Sequence, residues 1–320
     1  MVLDPAILKA ILRESKSPRT QVEVGGNSTV AKVAIAGDVF AVKDYSHRFD
    51  GSLRQQREWQ ALTFLNGACP GLAPVPLWCS RDEPVAIHSW ISGSKPELGA
   101  ETVGAMTEIL ETLKRAHGPL TQSRAIPHAV DSVCDVTDLS EQVLGRIIAL
   151  GTVQNPDLQR ILGHVKSQLG SLNRTRQVGS KDHKPRLTLS PSDFGPHNMI
   201  HELQKSKYSI IDLEFFGVDD VHKLIGDTVL HPQISWSNFL LKQFLDEVRE
   251  IFDFSWERFG ELLPFLSLKW AVIVLGRIAR LGDSRQNDEP GRDWAELAMF
   301  YSELAKPGHA DLILSRIVRT

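Results

Sequence analysis

The sequence predicts an α+β fold, in which a small antiparallel β-rich lobe at residues 1–90 precedes a larger, mainly helical lobe at 91–320. Two patterns indicate this division. Short β-prone runs separated by glycine-containing turns are concentrated near the N-terminus, whereas helical segments dominate from about residue 100 onwards. One β-prone island, at 186–213, interrupts the helical part. At 320 residues, the chain is long enough to form both lobes.

The elements of the two lobes follow from these patterns. The β-rich lobe starts with a short amphipathic segment at 1–14. Its β-prone runs lie at 20–24, 29–35, 39–43, 77–79 and 85–91. Ser52 and Gln55 form a capping-box pattern, which predicts one helix that begins there and runs to about Leu65. A linker at 88–96 leads into the second lobe. The helical segments of that lobe lie at 100–117, 139–150, 156–172, 238–259, 261–281 and 292–305.

The composition is that of an ordinary soluble protein, with 42% hydrophobic and 23% charged residues. The net charge of -3 gives no bulk electrostatic reason to expect nucleic acid or an anionic membrane as a partner. Three cysteines without C-x-x-C spacing indicate reduced thiols, not a disulfide framework or a zinc site. Without a signal-peptide pattern, or an unbroken apolar run long enough to span a membrane, a cytoplasmic protein is expected.

The β-prone island carries the strongest chemical signal. Asp193 lies in a polar loop, Asn198 follows five residues later, and a second β-prone run ends at Asp212. Transfer of a phosphoryl group from a Mg-nucleotide needs one carboxylate for the attacking hydroxyl, plus an amide and a second carboxylate for the metal. A predicted hairpin of 198–203 and 207–212 would return Asp212 to Asn198, and such oxygen ligands suit Mg²⁺. The alternative is structural, with Asp193 and Asn198 forming Asx turns.

A kinase also needs a nucleotide clamp, and the first lobe offers one. A glycine-rich turn between two strands can bring backbone N–H groups close to phosphates, although such a turn also occurs in ordinary hairpins. The turn consists of Gly25, Gly26, Asn27 and Ser28. Lys43 ends the third strand and can reach the α- and β-phosphates; the alternative is a solvent-facing lysine. Glu58 follows fifteen residues later, in a helix that can offer its carboxylate to Lys43.

These motifs together resemble the aminoglycoside phosphotransferase and choline-kinase-like family, which has the protein-kinase-like two-lobed fold. The resemblance covers about residues 22–231. It implies that Asp193 is the catalytic base and that Asn198 and Asp212 bind Mg²⁺. It also implies that Lys43 contacts the phosphates of ATP and is braced by Glu58.

The same resemblance implies further roles and shows one departure. Residues 25–28 would form the nucleotide loop, and 88–92 would form a hinge whose backbone binds adenine. The hinge residues are Ser89, Trp90 and Ile91. Asp212-Leu213-Glu214 is similar to the D-x-[DE] motif of the family, and the stretch around Asp193 is similar to a bacterial branch with an S-P-S-D-F-G-x-H-N loop. The family usually has His-Gly before the base, where this chain has Pro191-Ser192, which puts the loop geometry in question more than the chemistry.

The function that the resemblance implies is transfer of the γ-phosphoryl of ATP to a small-molecule hydroxyl with Mg²⁺. Because the sequence after residue 214 has no dense carboxylate cluster, a sugar or sugar-like acceptor is favoured over an aminoglycoside or a choline-like amino alcohol. A nucleotide-binding pseudokinase scaffold is a further alternative. Asp220 or Asp227 would bind a polyol or amine, or Asp227 would instead anchor the catalytic loop.

Overall fold

The computed structural model describes residues 3–17, 20–24, 27–120, 126–176, 184–281 and 293–306. The chain forms two compact units. The first combines Met1–Val130 with Leu189–Val218, and the second combines Asp131–Thr188 with Asp219–Thr320. The segment that contains Asp193, Asn198 and Asp212 therefore folds with the N-terminal sheet. The predicted boundary at residue 90 stays a prediction.

A five-stranded antiparallel sheet forms the centre of the first unit, as the sequence predicts. Its strands are β1 (Gln21–Val24), β2 (Thr29–Ile35), β3 (Asp38–Asp44), β4 (Pro76–Cys79) and β5 (Val85–Ser89). They lie in the order β1-β2-β3-β5-β4. In the ladders, Lys43 pairs with Val30 on β2, and Ala41 pairs with His88 on β5. Because side chains alternate along a strand, Lys43, Ala41 and His88 project from the same face of the sheet.

The other face of the sheet is covered by helix α1 (Pro5–Ser15). The Asp4 side chain caps this helix by accepting hydrogen bonds from the N–H groups of Ala6 and Ile7. Ile11 is fully buried against the sheet. The sheet residues in this core are Ala31, Val33, Phe40, Val42 and Ile87. Because α1 covers one face of the sheet, a functional site can form only on the face from which Lys43 projects.

Helix α2 (Gly51–Ala68) lies where the sequence predicts a helix, but the predicted capping box is wrong. The helix begins one residue earlier, after Asp50, which makes no side-chain cap. The Gln55 amide instead donates hydrogen bonds to backbone carbonyls of Ser80, Glu83 and Val85. Gln55 is therefore used for tertiary anchoring, which outweighs its local capping preference. At Gly51 a Cβ would lie 2.2 Å from the Tyr45 carbonyl oxygen, so the chain can approach this closely only with glycine.

The first unit also contains helix α3 and the predicted hairpin. These elements are α3 (Ala100–Leu120), β7 (Met199–Glu202) and β8 (Lys207–Ile210). Strand β6 (Leu187–Ser190) precedes the hairpin, and β9 (Gly217–Asp220) follows it. Backbone hydrogen bonds connect the hairpin to other parts of the unit, from His201 to Ser94 at 2.8 Å and from Ile210 to Leu72 at 2.8 Å. The hairpin is thus fixed by tertiary contacts as well as by its own pairing.

The second unit is mainly helical in its described residues. Its helices are α4 (Val136–Leu150), α5 (Pro156–Arg176), α6 (Val221–Leu230), α7 (Asn238–Ile251), α8 (Trp256–Leu281) and α9 (Trp294–Leu304). Helix α6 is not predicted by the sequence, since its ten residues include Gly226 and four β-branched residues, which have low helix propensity. The predicted helix at 238–259 is too long. Helix α7 ends at Ile251, and Ser255 begins α8 by accepting a bond from the Arg258 N–H.

Helix α8 is apolar enough to be tested as a membrane span. In the part of the chain that the structure describes, it is the one helix whose length and mean hydropathy of 1.7 would allow a crossing. Most of it is buried inside the second unit, however, and its Lys269 forms an ion pair with Asp227. These contacts are those of a core helix in a folded domain.

Buried charges in the second unit are matched one to one. Asp227 accepts hydrogen bonds from Lys269, and it lies 3.2 Å from Lys223, which also pairs with Asp219. Asp220 pairs with Arg258. Burial alone would raise the pKa of Asp227, but the two lysines lower it below the usual value. Neither Asp220 nor Asp227 is exposed, so both carboxylates serve the packing of this unit in the structure.

Replacing Asp227 with Asn tests this balance. We expect Asp227→Asn to lower the free energy of unfolding by about 3–5 kcal/mol, because the buried Lys269 would lose the carboxylate that accepts both of its hydrogen bonds. Urea unfolding measures the loss. The double variant Asp227→Asn/Lys269→Met, which restores the balance, should recover part of it. A loss of stability below about 1 kcal/mol in the single variant would contradict the assignment.

Candidate active site

Lys43 lies at the centre of the candidate active site. Its Nζ atom is 2.7 Å from Oε2 of Glu58 on α2 and 2.6 Å from Oδ1 of Asp212. The Lys43 and Glu58 side chains are almost fully buried, with 6% and 4% exposure, whereas Asp212 is 38% exposed. The structure therefore brings together three of the residues that the sequence singled out. Asp212 forms the part of this group that solvent can reach.

Glu58 is held by three separate donors. In addition to Lys43, the Tyr45 hydroxyl donates to Oε2 at 2.8 Å, and the Leu213 N–H donates to Oε1 at 3.2 Å. Burial opposes ionisation, but Lys43 and the hydrogen bonds lower the pKa of Glu58 below its usual value. Burial likewise opposes the charge on Lys43, yet Asp212 and Glu58 raise the pKa of Lys43. Both groups are therefore charged at neutral pH.

Glu214, which the sequence marks only as part of the Asp212-Leu213-Glu214 motif, is also a residue of this site. Its carboxylate is buried, and Oε1 accepts hydrogen bonds from Arg54 at 2.6 Å and from the Asn27 amide at 2.7 Å. Within the described ranges, Oε2 has no hydrogen-bond partner. Burial, followed by the charge of Asp212, raises the pKa of Glu214 to about 7. Arg54 was also missed, although it lies one helical turn before Glu58 on the same face of α2.

The charges at this site do not balance. Glu58, Asp212 and Glu214 carry three carboxylates, whose potential ligand atoms lie within 4.8 Å of one another. Lys43 and Arg54 supply two cations, and Arg54 also pairs with Asp50 at 2.9 Å. The site thus has an excess of negative charge and a buried carboxylate oxygen without a partner. Oxygen ligands of this kind fit a hard divalent cation such as Mg²⁺.

The loop with Asp193 and Asn198 is closed by its own hydrogen bonds. Nδ2 of Asn198 donates to the Asp193 carbonyl at 2.9 Å, which directs the amide nitrogen into the loop. The backbone carbonyl of Asn198 accepts from the Ile211 N–H at 2.9 Å, so the hairpin returns the chain to Asn198 one residue before Asp212. Nε2 of His197 lies 3.0 Å from Oδ1 of Asp193, four residues earlier in the same loop. Asp193 is one-third exposed.

Pro191 and Ser192, which stand where the resembled motif has His-Gly, form a tight turn. Ser192 has a φ of 67°, a left-handed conformation that costs a non-glycine residue about 1–3 kcal/mol. Asp212 also has a left-handed φ of 60°, which aspartate tolerates better than most residues. The Ser192 hydroxyl donates to the carbonyl of Phe215 at 3.1 Å. The Pro191-Ser192 turn is therefore accompanied by a specific hydrogen bond.

The predicted nucleotide residues have different surroundings. Gly25 and Gly26 lie outside the described residues. Asn27 contacts Glu214, and Ser28 is buried. The contact of Asn27 places the described end of the turn beside Glu214 and the other two carboxylates, Glu58 and Asp212.

In the predicted hinge, two residues are already engaged in the sheet. The N–H of Ser89 bonds to Val75 at 2.9 Å, and that of Trp90 bonds to Val39 at 3.2 Å. By contrast, the N–H of Ile91 has no backbone partner in the described part of the chain. Lys32 lies over the Trp90 ring at 4.8 Å from its centroid. Of the three predicted hinge residues, Ile91 is therefore the one whose backbone N–H is not used by the sheet.

The five-stranded sheet, helices α2 and α3 and the β7–β8 hairpin belong to the protein-kinase-like fold that the sequence predicts. Three solved structures share it over nearly their whole length. A choline/ethanolamine kinase family protein from Mesorhizobium loti is 17% identical, with a TM-score of 0.57, and the alignment covers 98% of this chain and 99% of that one. Choline kinase LicA from Streptococcus pneumoniae is 14% identical, with a TM-score of 0.59 and coverage of 95% and 99%.

The third is the ternary complex of APH(2″)-IIa with streptomycin and ATP, which is 15% identical, with a TM-score of 0.58 and coverage of 99% and 97%. At these identities the similarity establishes the fold. No protein-family model matches the sequence, and neither does any curated protein sequence.

His88 gives a pH dependence that can be measured. It is buried on the same sheet face as Lys43, and burial lowers its pKa from 6.5 to about 4. The unfolded chain takes up this proton near pH 6.5, so the stability that the neutral imidazole contributes is complete above that pH. It is lost as the pH falls towards 4, by at most about 1.4 kcal/mol per pH unit.

We therefore expect His88→Leu to reduce the loss of stability between pH 6.5 and 4, measured by urea unfolding at each pH. His47→Leu is the matched control, because His47 is exposed. The wild-type slope should persist in that control. An unchanged slope in His88→Leu would show that other groups cause the acid sensitivity.

Proposed function

We propose that this protein is a small-molecule kinase, which transfers the γ-phosphoryl of ATP to a hydroxyl group with Mg²⁺. The observation that carries the proposal is the buried Lys43, which contacts Glu58 and Asp212 in the same unit that contains Asp193. Similar folds occur in a choline kinase and in a complex with streptomycin and ATP, which supports this class of reaction.

Asp193 is proposed as the catalytic base. A carboxylate at this position orients the acceptor hydroxyl and accepts its proton as the bond to phosphorus forms. His197 contacts Oδ1 of Asp193, and Asn198 bonds to its backbone carbonyl, so both the side chain and the main chain of Asp193 are restrained. Restraint of this kind favours transfer, because most of the catalysis in phosphoryl transfer comes from positioning and charge neutralisation.

Lys43 is proposed to bind the phosphates. An ammonium group has three N–H donors, and Glu58 and Asp212 accept two of them. The third can be donated to a phosphate oxygen. Glu58 keeps the Lys43 side chain in this position, and Tyr45 and Leu213 in turn hold Glu58.

Asn198 and Asp212 are proposed as the Mg²⁺ ligands, and Glu214 joins them as a third candidate. The donation from Nδ2 of Asn198 into the loop leaves its Oδ1 atom as the oxygen that can bind metal. Asp212 is accessible, and Oε2 of Glu214 is without a partner in the described chain. When bound, Mg²⁺ would neutralise phosphate charge and orient the phosphates.

The nucleotide is proposed to bind between the turn at 25–28 and the hinge at 89–91. The N–H of Ile91, which the sheet does not use, supports the hinge assignment, because adenine is recognised through backbone groups in this fold. Asn27 supports the loop assignment through its contact with Glu214. Three free cysteines are consistent with a cytoplasmic enzyme.

The acceptor is proposed to be a sugar or sugar-like molecule, because no dense carboxylate cluster stands out in the sequence after residue 214. An aminoglycoside or an amino alcohol fits the similar structures at least as well. The deciding experiment is a screen of Mg-ATP consumption over sugars, aminoglycosides and amino alcohols. Clear ATP binding without turnover of any acceptor would instead support the scaffold alternative.

Asp193→Asn tests the proposed chemistry. We expect kcat to fall by about 10²–10⁴-fold, since the amide cannot accept the hydroxyl proton. The Kd for Mg-ATP should stay within about threefold, a change of under 1 kcal/mol. Single-turnover kinetics and calorimetry measure the two quantities.

Asp157→Asn is the matched control, because it makes the same change at a side chain that is 85% exposed on α5. It should retain wild-type kcat and Kd. Undiminished phosphotransfer by Asp193→Asn would rule out Asp193 as the base.

A further inference from the structure

The turn immediately before Asp193 has a conformation that serine does not favour. Ser192 has a φ of 67°, and the Asp193 N–H bonds to the carbonyl of Pro191 at 2.9 Å. A bond between residues two apart, around a centre with positive φ, is the mark of the more strained form of γ-turn. Glycine adopts this φ freely. The backbone therefore gives no reason for serine here, and the reason must lie in its side chain.

The Ser192 hydroxyl joins two functional segments of the first unit. It donates to the carbonyl of Phe215 at 3.1 Å. Phe215 directly follows Asp212-Leu213-Glu214, the segment with the carboxylates that face Lys43. On the other side of the turn, the Ser192 N–H donates to the hydroxyl of Ser190 at 3.0 Å, and Ser190 is fully buried. The strained turn is thus fixed both to a buried residue and to the carboxylate segment.

A second connection holds the same loop from its far end. Nδ2 of Asn198 bonds to the Asp193 carbonyl, and the Asn198 carbonyl accepts from Ile211, each at 2.9 Å. Asp193 therefore lies between two links to the 211–215 segment. One link passes through Ser192, and the other passes through Asn198. Loss of either link would leave the loop free to shift relative to Asp212.

We propose that Ser192 is a positioning residue for phosphoryl transfer, which keeps Asp193 in register with the segment that contains Asp212 and Glu214. This inference rests on the proposed kinase function. In-line transfer needs the hydroxyl and the phosphoryl group at a fixed separation, and these groups are held by different segments. The hydroxyl of Ser192 connects those segments directly.

Three variants separate the hydroxyl from the backbone strain. Ser192→Gly relieves the strain and removes the hydroxyl, so we expect a Tm at or above that of wild type and a kcat about 10–100-fold lower. Ser192→Ala keeps the strain, and its kcat should fall similarly. Ser192→Thr keeps the hydroxyl but adds a β-branch at positive φ, so its Tm should fall while kcat stays within about threefold of wild type. The Kd for Mg-ATP should change by less than about threefold throughout.

Ser206 provides the matched control, because it also has a left-handed φ, of 47°, but lies at the tip of the β7–β8 hairpin. Ser206→Gly should match the Tm effect of Ser192→Gly without any loss of kcat. A purely structural role predicts that kcat falls only in variants whose Tm falls. A Ser192→Gly variant with wild-type kcat would overturn the inference.

A second readout is independent of catalysis. We expect Ser192→Gly to speed hydrogen exchange in peptides that cover 211–218, and Ser206→Gly to leave that exchange unchanged. If the wild type transfers phosphate to no acceptor in the screen, the proposed function fails and the exchange experiment alone decides the link. Unaltered exchange at 211–218 in Ser192→Gly would then overturn it.

Discussion

The ammonium group of Lys43 is the point on which the first unit depends. It lies between carboxylates of Glu58 and Asp212, and so connects strand β3, helix α2 and the segment after the β7–β8 hairpin. Removing one partner of such a buried pair leaves an uncompensated charge, which costs about 3–5 kcal/mol. Tyr45 and the Leu213 N–H also bind Glu58, so the carboxylate joins the same three elements. The position of Asp212 is therefore set by the packing of the whole unit.

Much of this arrangement could be predicted because its signals are local. The turns and alternating runs define β1 to β3, and β3, which carries Lys43, leads to a helix with Glu58 at its centre. The hairpin between Asn198 and Asp212 is also a local structure, whose pairing starts from neighbouring residues. In each case, the predicted proximity needs only one strand, one helix or one turn to form correctly.

The features that were missed depend on contacts between residues far apart in the chain. Arg54 meets Glu214 across 160 positions, and no local pattern marks that pair. Gln55 fits a capping box in sequence, but its amide is used by carbonyls of the β4–β5 region. Helix α6 contains Gly226 and four β-branched residues of low helix propensity, and the burial of nearly all of its side chains stabilises it instead. Tertiary packing overrides local preference at each of these positions.

The two buried ionic clusters differ in a way that separates structure from function. In the second unit, Asp219, Asp220 and Asp227 face Lys223, Arg258 and Lys269, three carboxylates against three cations. Such a cluster is satisfied without a ligand. In the first unit, three carboxylates face only two cations, Lys43 and Arg54, and Asp50 adds a further negative charge beside Arg54. In addition, one oxygen of Glu214 has no hydrogen-bond partner in the described chain. Since an uncompensated buried charge is unfavourable, that cluster needs a further positive charge, which a bound metal ion or a proton would supply.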